Sequence, residues 1–131
     1  MILVDTSVWI DFLRGGESSE AGALAAAIET GDDVCICGLI LTEILQGIRE
    51  ESQYRRARRL LDVLVYLPAS REVHVLAASI YRAARARGET IRNTVDCVIA
   101  ACAIAHRVPL LQRDRDFEKI AAVSKLELAQ A

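Results

Sequence analysis

The order of local signals in this 131-residue chain predicts an α/β domain with a short parallel sheet and helices on both faces. Three observations carry that expectation. Short apolar, β-rich runs stand at residues 2–5, 34–37 and 110–111. Between them lie segments of helical periodicity, long enough to serve as crossovers between parallel strands. One of these, residues 94–106, is apolar nearly all round, which suits a helix in the interior.

The elements follow in order. Residues 2–5 form a strand, after which Thr6 or Ser7 offers an N-cap to a helix over 8–14 that stops at Gly15-Gly16. An Ala-rich helix over 19–29 ends at Thr30-Gly31-Asp32, and residues 34–37 form a buried strand. A third helix is expected over 41–49. Over 53–65, Arg55, Arg56, Arg58 and Arg59 crowd one part of a helix whose other face carries Leu60, Leu61 and Leu64, until Pro68 breaks the pattern. Val73, Leu76, Ala77, Ile80, Tyr81 and Ala84 then recur at helical spacing, ending near Gly88. After the helix over 94–106 come Pro109, a two-residue strand, and a polar run, 112–116, leading into Phe117. The chain from Val123 supplies a final strand or a tail. Without repeats, low-complexity segments or linkers, residues 1–131 read as a single domain.

Sixteen basic and 18 acidic residues give a net charge of −2, which excludes a basic tail or a histone-like binder. The average conceals an uneven distribution. Fourteen of the basic residues are Arg, and 13 of those lie between Arg49 and Arg115 against seven acids. Arginine suits bidentate phosphate contacts, although a GC-rich genome produces the same bias. The apolar start breaks at Asp5 without a basic n-region, and no apolar run approaches the roughly 20 residues that span a bilayer, so a cytoplasmic protein is expected. Cys35, Cys37, Cys97 and Cys102 lie in apolar segments and read as small hydrophobes rather than zinc ligands. His74 and His106 read as structural or exposed.

Four acids stand where burial makes a charge expensive: Asp5 at the end of an apolar strand, Glu43 and Asp96 within apolar helices, and Asp114 after Leu110-Leu111. Strand carboxyl ends in a parallel sheet share one edge, and helices leaving that edge begin there too. Each acid taken alone has another explanation. Asp5 caps the first helix, Asp96 caps its own helix or pairs with Arg92, and Asp114 and Asp116 alternate with Arg113 and Arg115 in a loop. Glu43 has no basic residue three or four positions away. Carboxylates gathered without a counter-charge repel, and a divalent cation removes the conflict. Oxygen-only ligation points to Mg²⁺, with Mn²⁺ as a substitute, and to phosphodiester chemistry.

Four stretches then occur in a particular order: Ile2-Leu3-Val4-Asp5-Thr6-Ser7, Thr42-Glu43-Ile44-Leu45-Gln46-Gly47, Thr94-Val95-Asp96-Cys97-Val98-Ile99-Ala100-Ala101, and Leu110 through Phe117. In these the chain resembles the PIN-domain ribonucleases, and within them the VapC toxins of type II toxin-antitoxin pairs. The resemblance implies a PIN-like three-layer fold and a Mg²⁺-dependent endoribonuclease. Asp5 and Asp96 match the central metal ligands, Glu43 and Asp114 complete the acidic pocket, and Asp116 is an additional or substitute member. Thr6 or Ser7 matches a hydroxyl that orients ligand or water, and Arg92, Arg113 and Arg115 are candidate contacts to the RNA backbone. Further implications are a structured RNA substrate such as tRNA, a cognate VapB-like antitoxin, and a homodimer. Trp9, Phe12 and Leu13 form an apolar stripe that either packs in the core or receives an antitoxin helix. Gln112 departs from the family, in which Thr or Ser is frequent at that place.

Three rivals fit less well. A non-catalytic or antitoxin-independent PIN-like RNA-binding or processing protein is the nearest alternative, yet all four acids are present. A phospho-accepting receiver domain needs a Lys late in its sheet, whereas Lys119 and Lys125 follow the acidic loop. A haloacid-dehalogenase-type phosphatase needs Asp where Ser7 stands.

Overall fold

A computed structural model describes residues 1–131. Its elements are β1 (Ile2–Val4), α1 (Thr6–Leu13), α2 (Ser19–Thr30), β2 (Val34–Cys37), α3 (Gly38–Gln46), α4 (Glu51–Asp62), β3 (Val65–Leu67), α5 (Arg71–Ala86), α6 (Thr94–His106), β4 (Leu110–Leu111) and α7 (Arg115–Ala122). The four strands form one parallel sheet in the order β3-β2-β1-β4.

That order fixes where the helices lie. From β1 the chain steps to β2 and on to β3 in one direction, so right-handed crossovers place α1 to α4 on one face. It then returns past β1 to β4, which places α5 and α6 on the other face. The packing agrees, with α1 against α2 and α3, and α5 and α6 against each other and against α7. Covered on both faces, the strands are apolar throughout, and all four residues of β2 are buried. A continuous core runs through Leu3, Val4, Trp9, Leu24, Ile36, Ile40, Ile99, Leu110, Phe117 and Ile120.

The α/β class and the three principal strands stand where the sequence places them, and several details differ. Residues 65–67 form the edge strand β3 rather than the end of a helix, because α4 stops at Asp62 and Cys35, Ile36 and Cys37 pair in register with Val65, Tyr66 and Leu67. Helix α3 begins at Gly38, directly after β2, and ends at Gln46, so it is displaced from the expected 41–49. The expected polar run into Phe117 is the start of α7, capped by Asp114. The chain end makes a single parallel bridge, Leu128 beside Leu110.

Helix α1 is capped by Asp5 rather than by Thr6 or Ser7, since Asp5 has extended backbone and its carboxylate accepts from the Ser7 N–H. Trp9 is fully buried, with its ring edge-on to Phe12 at 5.9 Å, while Leu13 is exposed. The stripe therefore divides between core and surface. All four cysteines are buried and free. His106 has a partner, its Nε2 lying 2.9 Å from the Pro68 carbonyl oxygen. No helix is long and apolar enough to cross a membrane.

Candidate active site

The sheet order reverses at β1, whose neighbours β2 and β4 are reached by crossovers on opposite faces. A parallel sheet opens a crevice at the carboxyl ends of the strands flanking such a reversal. Here those ends carry Asp5, after β1, and the loop bearing Asp114, after β4. A cleft of about 330 Å³ lies there, lined by Asp5, Thr6, Ser7, Glu43, Arg92, Asn93, Asp96, Asp114 and Asp116. A larger depression of about 690 Å³, bordered by Met1, Ala23, Ala27, Thr30 and Asp33, lies at the amino ends of the strands. It holds two adjacent acids, Asp32 and Asp33, against the cleft's five.

Local structure delivers each acid. The Asp5 carboxylate takes Ser7 N–H at 3.1 Å and Ser7 Oγ–H at 2.6 Å on the same oxygen. Its backbone N–H donates to the Leu111 carbonyl at 2.9 Å, tying β1 to β4 just before both acidic segments. Glu43 lies in the second turn of α3, and Thr6 Oγ1–H donates to it at 2.8 Å across 37 residues of sequence. Asp96 lies in the first turn of α6, which Asn93 caps. Asp114 caps α7 by accepting the Asp116 N–H at 3.0 Å, while its own N–H donates to Gln112 Oε1 at 2.6 Å. Gln112 thus braces the acidic loop.

The five carboxylates differ in their partners. Asp116 is 1% exposed and receives the Arg92 backbone N–H at 3.2 Å, Arg92 Nε at 3.3 Å and Lys119 Nζ at 3.6 Å. Burial pushes its pKa up, but these donors and charges outweigh burial and hold it below the usual carboxylate value. Arg92 also reaches Asp114 at 3.1 Å. Asp5 is pushed up by burial, with the Ser7 donors opposing and the Asp114 charge adding. Asp96 is pushed up to about 7, first by desolvation and then by the charges of Asp5, Asp114, Asp116 and Glu43; no donor offsets them.

Five carboxylates served by Arg92 and Lys119 alone are an incomplete electrostatic system, and a cation completes it. The donor set fits Mg²⁺ or Mn²⁺, because every side chain lining the cleft offers oxygen or nitrogen of a hard type and none is His or Cys. The acids are spread round the cleft rather than gathered into a cage of three ligands. That suits an ion which keeps several of its waters and takes only one or two carboxylates.

A PIN-domain family model matches residues 2–123. The chain belongs to the PIN-domain family. This PIN domain is 37% identical over 131 residues to VapC ribonuclease Mb1587 of Mycobacterium bovis, covering 98% of each chain. It is 31% identical over 111 residues to ribonuclease VapC19 of Mycobacterium tuberculosis, covering 85% of this chain and 86% of that one. Among solved structures, VapBC2 from Rickettsia felis, bound to a DNA fragment from its promoter, superimposes with a TM-score of 0.77 at 17% identity, covering 98% of both chains.

Of the residues singled out in the sequence, Asp5, Thr6, Ser7, Glu43, Arg92, Asp96, Asp114 and Asp116 all line the cleft of this PIN domain. Arg113 and Arg115 do not. The Arg113 guanidinium pairs with Asp11 and Glu20, and Arg115 is exposed at the first residue of α7. Arg92 pairs with Asp114 and Asp116 rather than with Asp96. Asn93 lines the cleft and escaped the sequence reading, although an Asn immediately before an apolar helix is itself a cap signal.

Proposed function

We propose that this PIN domain is a divalent-metal-dependent endoribonuclease of the VapC toxin type, with Mg²⁺ as its ion and a VapB-like antitoxin as its partner. One observation carries the reading. Five carboxylates converge on a cleft with no apolar lining, and the innermost of them in electrostatic terms, Asp96, has no donor of its own. Full-length identity of 37% to a VapC ribonuclease supports the reaction class. The antitoxin is supported by structural relatives that are VapBC complexes. Structured RNA such as tRNA, a homodimer and a cytoplasmic setting belong to the same proposal.

Asp5 and Asp96 would hold the ion, with Glu43 and Asp114 completing its surroundings. A bound divalent ion supplies Lewis acidity for the attack of water on phosphorus and offsets the charge that develops there. Thr6 orients Glu43 and Ser7 orients Asp5, so neither hydroxyl is needed as a nucleophile. Glu43 and Asp114, half-buried in the wall of the cleft, are placed to take a proton from water or return one to the leaving oxygen. Arg92 is 72% exposed and anchored from below by Asp116, so its outer face is free to hold a phosphate of the RNA backbone. Asp116, already paired with Arg92 and Lys119, positions that arginine instead of holding the ion.

Incubating antitoxin-free protein with structured RNA tests the proposal. Cleavage in Mg²⁺ or Mn²⁺ that stops in EDTA is expected. Cleavage persisting in EDTA overturns the metal mechanism, and RNA binding without cleavage favours a non-catalytic RNA-binding protein.

A further inference from the structure

Resting on the reading of the cleft as a ribonuclease site, we propose that Arg113 is a positioning residue that clamps the Asp114 loop onto the α1–α2 turn. Its guanidinium lies between two acids, with Nη1 3.6 Å from Asp11 Oδ2 and Nε 3.3 Å from Glu20 Oε1. Both acids are mostly buried, their side chains 23% and 25% exposed. The Arg113 side chain is 42% exposed, against 72% for Arg92, and it does not line the cleft, so its guanidinium is committed to the two acids rather than to the site.

The turn between α1 and α2 is shaped around the same arginine. Asp11 accepts Ser18 Oγ–H at 2.5 Å, and Ser18 caps α2 by accepting the Ala21 N–H at 3.0 Å. At Gly16 an added Cβ would stand 2.0 Å from Asp11 Oδ1, so a side chain there collides with the acid that holds Arg113. Glu20 lies in the first turn of α2. The clamp therefore uses one acid from each helix.

The arginine backbone connects the clamp to the site. Arg113 N–H donates to Ser7 Oγ at 3.3 Å, and Ser7 Oγ–H donates to Asp5 at 2.6 Å. Residues on either side are tied as well, Leu111 to the Asp5 N–H and Gln112 to the Asp114 N–H. Releasing the guanidinium loosens the segment that fixes Asp114 relative to Asp5.

The test compares Arg113→Gln, Arg113→Lys, Asp11→Asn and the double variant Arg113→Gln/Asp11→Asn with the wild-type chain. Without metal, amide exchange at Arg113 and Asp114 is expected to accelerate about 3- to 10-fold in Arg113→Gln. Mn²⁺ affinity, measured by calorimetry, is expected to weaken by a similar factor, and kcat to fall with KM for RNA unchanged. Arg113→Lys recovers part of each effect by keeping one ion pair, and Asp11→Asn adds little to Arg113→Gln. Unchanged exchange and metal affinity with a raised KM overturn the clamp and make Arg113 a phosphate contact. Altered exchange and metal affinity in a protein that cleaves no RNA leave the clamp standing and overturn the ribonuclease reading instead.

Discussion

Asp96 shows how a single carboxylate records the demands of the cleft. Every influence on it disfavours its charge, and its folded pKa of about 7 lies above the ordinary 3.8. A raised acid pKa means that the folded state holds its proton longer than the unfolded chain, so this group makes the metal-free protein less stable as pH climbs from about 4 to about 7. Asp96→Asn is expected to stabilise the metal-free protein at pH 8 by roughly 1–2 kcal/mol after discounting for partial exposure, read as a higher melting temperature, and to leave stability unchanged at pH 4. Thermal melts across that range check the sign. Arg92→Gln acts the other way, stripping Asp114 of its counter-charge and leaving Asp116 with Lys119 alone. It lowers metal-free stability slightly and enlarges the melting shift produced by Mn²⁺, both read from thermal melts with and without the ion.

Residues also explain what the sequence made legible. Asp5, Glu43, Asp96 and Asp114 interrupt apolar runs, and such interruptions are visible without coordinates because apolar strands and helices do not tolerate stray charge. Arg92 could be placed near the site by adjacency to the α6 cap. Arg113 had the same adjacency and a different fate, because its partners Asp11 and Glu20 stand about a hundred residues away and only the fold brings them together. Ion-pair partners at that separation leave no periodic signature.

At the scale of elements, β3 and α7 were missed for physical reasons. Strand β3 has three residues, of which only Leu67 is buried, and follows α4 after a two-residue turn. The apolar run Val63, Leu64 and Val65 therefore extended the α4 pattern instead of breaking it. Helix α7 begins with the polar sequence Arg-Asp, and its apolar face is confined to Phe117 and Ile120. That face matters to the site, since α7 holds the loop whose cap is Asp114. Phe117→Ala is expected to cost about 3–5 kcal/mol, read as a lower denaturation midpoint. Gly16→Ala, which forces Asp11 aside, is expected to cost about 1–2 kcal/mol and to weaken the Ser18 cap of α2.

For the whole molecule, the topology decides that the acids meet. Nothing local says that Asp5 and Asp114, 109 positions apart, flank one crevice; the strand order β3-β2-β1-β4 does. A net charge of −2 is then compatible with a polyanionic substrate, because part of the acid excess is concentrated in one cleft while arginines occupy the surface around α4 and α5. An ion bound only by the folded state stabilises it, by about 2.7 kcal/mol at a hundred times its dissociation constant. The melting temperature should therefore climb with Mn²⁺ concentration in the wild-type chain and stay flat in Asp96→Asn. The most direct test is the single-turnover rate of RNA cleavage measured against Mn²⁺ concentration for these two proteins. A saturable rise in the wild type and a loss of about 10³-fold in Asp96→Asn are expected; an Asp96→Asn protein that cleaves at the wild-type rate contradicts the assignment of this cleft as the metal-dependent site.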